Sequence, residues 1–146
     1  MTARGPAFAI LSWLAMASIA CGPPPQPVAP PALDSAMFRS QVQPILERGC
    51  ASPSCHGNDR RPLRVYAPGY FRADPTRLHL DEPISPDELA ANQRSASAFA
   101  LGVDRAEQSL LVLKPLGHAG HATVFSTVDD RDAQTVIVWL RTGGLP

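Results

Sequence analysis

Three scarcities bound what this chain can be. Charge of one sign is the first: thirteen Lys and Arg face thirteen Asp and Glu over 146 residues. With no large single-sign field, neither nucleic acid nor a strongly polarised partner is expected. Long apolar runs are the second. The run from Ala7 to Ala20 covers 14 residues, short of the roughly 20 that a membrane-spanning helix needs. Large apolar side chains are the third. Aromatics make up 6% of the chain, and past the first twenty residues one tryptophan, Trp139, and one methionine, Met37, remain. A domain with so little large apolar volume is expected to take some from a bound group. The sequence also holds no nucleophile beside a base and no marked pair of carboxylates, so a carrier or binding module is expected rather than an enzyme.

The first forty residues read as an export leader and a spacer. Arg4 and the apolar run match the charged and hydrophobic regions of a signal peptide over residues 1–20. Ser18, Ala20, Cys21 and Gly22 resemble a bacterial lipoprotein cleavage box, in which the new N-terminal Cys21 is acylated. Ordinary cleavage near Ala20, leaving a free Cys21 thiol, is the alternative. Three cysteines leave one odd, and lipid on Cys21 leaves Cys50 and Cys55 as a pair. The stretch Gly22-Pro23-Pro24-Pro25-Gln26-Pro27-Val28-Ala29-Pro30-Pro31 favours extended polyproline II. Residues 21–33 are therefore expected to be a tether and residues 34–146 one small domain. Membrane attachment through the lipid, on the periplasmic side of a bacterial envelope, follows. Gly22 rather than aspartate after Cys21 resembles outer-membrane sorting.

What stands out in the domain is Cys50-Ala51-Ser52-Pro53-Ser54-Cys55-His56. Covalent haem attachment needs two thiols to add across two vinyl groups and an imidazole beside the second thioether to bind iron. Cys50, Cys55 and His56 supply these in order, so haem c and its iron are the expected cofactors. The usual spacing puts two residues between the cysteines. Here there are four, and the loop must bulge by two.

The other side of the iron is expected to take a histidine, because Met37 precedes the attachment motif. His121 is favoured, with His118 close behind; three residues apart, they would share roughly one side of a helical turn. His79, between Leu78 and Leu80, reads as a packed or solvent-facing side chain. Without a methionine ligand the potential is expected to be lower than in His/Met carriers. If neither histidine binds, an open sixth position would make the domain a sensor or an enzyme. Two haem-free readings stand beside these: a Cys50–Cys55 disulfide stapling an exported lipoprotein scaffold, and zinc held by Cys50, Cys55, His56 and a distal histidine. Arg60, Arg61 and Arg64 are available to haem propionates or to solvent.

Periodicity predicts an all-α domain with long irregular loops. A first helix from Asp34 or Ser35 buries Phe38, Val42, Ile45 and Leu46, is kinked or restarted by Pro44, and ends at Gly49. Residues 58–84 show no sustained period and read as a surface loop. Ser85-Pro86-Asp87-Glu88 opens a second helix with a capping box and proline at its first position; it reaches Leu89 and Phe99 and ends by Gly102. Asp104 to Glu107 repeats the cap pattern ahead of Leu110, Leu111 and Leu113. Thr127 to Asp130 does so again before a last helix with Ala133, Val136, Ile137 and Leu140 in one stripe, Trp139 beside it, and Gly143-Gly144 as the stop.

Taken in order, Phe38, Val42-Gln43-Pro44-Ile45-Leu46, Cys50, Cys55-His56-Gly57, Ser109-Leu110-Leu111, Lys114-Pro115-Leu116-Gly117, Phe125, Ile137-Val138-Trp139-Leu140 and Gly143 resemble the planctomycete-type cytochrome c domains. The resemblance covers nearly all of the chain past the tether. It implies a small cytochrome c-like fold and one-electron transfer with redox partner proteins. This chain departs from the family in having His118-Ala119-Gly120-His121 where His-Gly-Gly is usual.

Overall fold

Phe38, Val42, Ile45 and Leu46 are all buried along one face of the first helix, as their spacing requires. The computed structural model describes residues 32–145; the expected signal peptide, Cys21 and the expected tether as far as Pro31 lie outside the described residues. Asp34 caps the helix by accepting from the Met37 amide at 2.8 Å. The helix is α-helical over Ser35–Met37, widens to a π-helix over Phe38–Val42 and returns to α over Gln43–Cys50; residues 35–50 are called α1. Pro44 therefore neither restarts the helix nor ends it. A proline ring collides with the carbonyl four residues back, and the wider π turn just before it makes room, the Gln43 amide reaching back five residues to the Phe38 carbonyl. The helix also runs one residue past Gly49, carrying Cys50 in its last turn.

Three further helices follow: α2 over Pro86–Ser97, α3 over Leu110–Leu113 and α4 over Arg131–Arg141. Short 3₁₀ turns lie at Pro75–Arg77, Ala98–Ala100, Ala106–Gln108 and His118–Gly120. No strand is present among the described residues, where the one β feature is an isolated bridge between Ala67 and Phe71. The protein is all-α over this range.

The start of α2 is as its sequence demands. The Ser85 side chain accepts from the Glu88 amide and the Glu88 carboxylate accepts from the Ser85 amide, with Pro86 at the first position. The other two caps fall elsewhere than the sequence pattern placed them. Ser109, not Asp104, caps α3 through the Leu111 amide at 3.2 Å. Asp130, not Thr127, caps α4 through the Asp132 amide at 2.9 Å. In both cases the winning residue sits immediately before the first helical turn, where its oxygen reaches the orphan amides.

The core is where α1 crosses α4. The Phe38 and Trp139 rings lie 5.1 Å apart at 48°, a tilted contact favoured by aromatic quadrupoles. Val42, Val136, Ile137, Trp139 and Leu140 are fully buried around them. The indole N–H of Trp139 donates to the Asp34 carbonyl at 3.0 Å, and the Asp34 amide donates to the Thr142 hydroxyl at 2.9 Å. Leu33, the last residue of the expected tether, is already buried here.

The stretch after the cysteines is less superficial than its composition suggested. Leu63, Val65 and Ala67 are buried. Asn92 of α2 pins it, accepting from the Tyr66 amide at 2.7 Å and donating to the Tyr66 carbonyl at 2.8 Å and to Gln43 on α1 at 3.1 Å. Arg72 and Glu88 form a buried ion pair with two N–H···O contacts of 3.1 Å. Arg72 also donates to the Glu82 and Pro83 carbonyls, and Glu88 accepts from the Ala73 amide at 2.7 Å. Burial alone would push the Glu88 carboxyl up; hydrogen bonds from Arg72, Ser85 and Ala73 outweigh it and hold the group at about 2.

Candidate functional site

The two extra residues between the cysteines fold into a tight turn at the end of α1. The Cys55 amide donates to the Ser52 carbonyl at 2.8 Å, and the His56 amide returns to the Cys50 carbonyl at 3.0 Å. Cys50 and His56 are thereby brought next to each other, and the surplus chain bulges away as Ser52 to Ser54. Asn58 fastens the bulge by donating to the Pro53 and Cys55 carbonyls at 2.9 and 3.0 Å. The Gly57 amide donates to the Ser52 carbonyl at 3.0 Å. A Cβ on Gly57 would drive into the Ala51 carbonyl, so this return is open only to glycine.

Beyond the turn lies a cavity of about 300 Å³. Leu46, Leu111, Phe99, Pro115 and Phe125 give it an apolar wall, into which Cys50, His56 and His121 are set, with Arg61 and Lys114 also on the lining. Both cysteines carry free thiols. Cys50 is 5% exposed, and burial, then the neighbouring Cys55, pushes its thiol up to about 11. Cys55 is half-buried.

His56 and His121 face one another. Their ring centres are 5.9 Å apart and their planes differ by 18°. The Nδ1 of His56 is 3.1 Å from the Leu63 carbonyl and that of His121 is 2.7 Å from the Ala122 carbonyl. A carbonyl only accepts, so each Nδ1 donates, which leaves Nε2 as the nitrogen that either ring can offer to a metal. Burial lowers the His56 pKa; the Leu63 bond acts against this, and His121 and Arg61 add to it. His56 is thus held as the neutral imidazole that a metal requires.

The distal alternatives separate by a backbone angle. Ala119 adopts φ 54°, ψ 41°, between Gly117 at φ 89° and Gly120 at φ 71°, so His118 and His121 do not share a helical side as their spacing predicted. His118 is exposed and off the cavity wall, whereas His121 is on it. His79 is exposed and lines a separate groove with Leu78, Leu80 and Asp81. Of the three arginines set aside for propionates, Arg61 reaches the cavity. Lys114 joins it, a residue that the sequence marked through its Lys-Pro pair alone. The Leu63 carbonyl has no side-chain signature, so its part in orienting His56 could not be read in advance.

His56 and His121, their ring centres 5.9 Å apart, would hold the iron of a bound haem through their Nε2 atoms. An apolar wall, a thiol pair and two histidines whose Nδ1 atoms are engaged by backbone carbonyls fit a covalently bound haem. The four-residue zinc set is not assembled: among the described residues no three His, Cys, Asp or Glu side chains are placed to share an ion. No family model, curated protein or solved structure matches the chain.

Proposed function

We propose that the protein is a c-type cytochrome that carries single electrons, with Cys50 and Cys55 as covalent anchors, His56 as the iron ligand on the attachment side and His121 as its counterpart. The observation that carries this reading is the facing pair of imidazoles, each with Nδ1 on a backbone carbonyl and Nε2 free over one apolar cavity. Haem, when bound, supplies a one-electron couple.

The chain's own contribution is to set that couple's surroundings. The Leu63 and Ala122 carbonyls orient the two rings and raise their basicity as ligands. The apolar wall lowers the polarity around the bound group. Two histidines in place of a histidine and a methionine favour a low potential. The resemblance to planctomycete-type cytochrome c domains supports the same fold, with α1 leading into the attachment loop and α4 crossing it. Acylated Cys21 would tether the carrier on the periplasmic side of the outer membrane, and a Cys21→Ala variant that leaves the membrane fraction would bear that out.

The test is an absorption spectrum, oxidised and dithionite-reduced, of the domain exported in cells with a cytochrome c maturation system. A red protein whose haem survives acid–acetone and gives sharp low-spin bands is expected. A high-spin spectrum would move the reading to an open site and a sensor. A colourless protein without free thiols would replace it with the disulfide-stapled scaffold.

A further inference from the structure

The chain as a whole is charge-balanced, yet its cations and anions are not evenly spread. Each charge-pairing arginine of the described residues, at 48, 72, 77, 105 and 141, has a carboxylate within 4.0 Å. Arg39, Arg60, Arg61, Arg64, Arg94, Arg131 and Lys114 have none among the described residues. Of these, Arg61, Arg64, Arg94 and Lys114 are contiguous. Arg61 and Lys114 lie on the lining of the haem cavity, Pro62 borders both that cavity and a neighbouring groove of about 310 Å³, and Arg64 and Arg94 line the groove with Tyr66 and Ser95. No acidic side chain lines either hollow.

The backbone fixes this arrangement. The Arg64 amide donates to the Ser95 hydroxyl at 2.9 Å, and that hydroxyl donates to the Pro62 carbonyl at 3.3 Å. The arginine-rich loop is thus fastened to α2 beside Arg94. Arg64 and Arg94 are exposed, and guanidinium groups in a shared groove suit carboxylates presented as planar acceptors.

We infer that Arg61, Arg64, Arg94 and Lys114 form a docking surface for the acidic face of a protein that exchanges electrons with the cavity, an inference that rests on the haem reading above. Two observations select this occupant: the charge of the patch, and its position at the rim of the cavity, where a docked partner comes close to the redox group. Complementary charge at such a rim speeds encounter and fixes orientation. Because the chain is near neutral overall, whole-molecule charge supplies little steering, and a steep salt dependence would report the local patch.

The experiment uses the haem-loaded chain, reduced and mixed in a stopped-flow instrument with ferricyanide, an anionic oxidant, or with tris(phenanthroline)cobalt(III), a cationic one. With ferricyanide the rate is expected to fall as salt rises, and Arg64→Glu with Arg94→Glu to lower it roughly tenfold at low salt, with the absorption spectrum unchanged. The cobalt complex should respond in the opposite sense. A salt-independent rate in the wild-type chain needs no variant to fold and would overturn the inference, as would a wild-type rate in the double variant; the haem reading survives both. Binding of the chain to anionic phospholipid vesicles, lost in the double variant, would assign the patch to a lipid surface and also overturn it. Absence of a reducible haem, visible before any mixing, removes the inference together with the reading beneath it.

Discussion

His56 and His121 hold their rings 5.9 Å apart across one apolar cavity, while His118, three residues before His121, is exposed and off its wall. Replacing His121 by alanine in the haem-loaded protein should convert the low-spin spectrum to a high-spin one. Replacing His118 should leave it unchanged. A low-spin spectrum that survives His121→Ala would remove the distal assignment.

Ala119 is the one non-glycine residue with positive φ among those described. A left-handed alanine is disfavoured by about 1–2 kcal/mol, so Ala119→Gly should raise the unfolding free energy by up to about 1 kcal/mol once the greater freedom of the unfolded glycine is counted. Urea denaturation of the two forms measures the difference. A destabilised variant would show that the alanine side chain has a role of its own.

Gly57→Ala should be costly, because the added Cβ meets the Ala51 carbonyl, a backbone atom that cannot swing away. An overpacking loss of about 1–3 kcal/mol is expected, with a lower yield of protein carrying attached haem. Thermal unfolding and the haem-to-protein absorbance ratio report the two effects separately.

The thiols should differ in reactivity before any haem is attached. With its thiol pushed to about 11, Cys50 is thiolate in about one molecule per thousand at pH 8, and it is also buried. Iodoacetamide should therefore label Cys55 first and reach Cys50 on unfolding. Mass spectrometry of timed digests decides this, and equal labelling of both in the folded chain would contradict it.

Acid should loosen the loop that α2 holds. Glu88 stands near 4.5 when unfolded and about 2 when folded. Its folded pKa is depressed, so its contribution is complete above about 4.5 and is lost as pH falls from there towards 2. Glu88→Gln strips the partner from the buried Arg72 and should cost roughly 3–5 kcal/mol at neutral pH, with a flattened loss of stability between pH 5 and 2. Urea midpoints across that range test both statements.

Much of this was legible in the residues. The capping box at Ser85, the buried stripe on α4 and the order of Cys50, Cys55 and His56 depend on neighbours a few positions apart, and local spacing states them directly. What the residues did not disclose depends on distance or on backbone angle. The Arg72–Glu88 pair joins a loop to a helix start, so Glu88 read as a cap alone. Pro44 read as a kink or a restart because a regular helix was assumed, and a widened turn accommodates it. His118 read as close behind His121, and the φ of Ala119 separates the two. Ser109 and Asp130 lost to Asp104 and Thr127 in the reading because two cap patterns overlapped and the acid three residues on weighed more than the true start of the turn.

Asp34 is gripped at both its backbone polar groups by the last helix, its carbonyl by the Trp139 indole and its amide by Thr142. A pull on the chain from its amino-terminal side would meet Leu33, buried and held through its carbonyl by Gln93, and then this clasp. Tension would pass sideways into α4 and the Phe38–Trp139 contact, as shear between two packed helices, before it reached the turn that holds Cys50, Cys55 and His56. A carrier hung from a surface by this end could be tugged by its surroundings while the geometry between His56 and His121 stayed at rest.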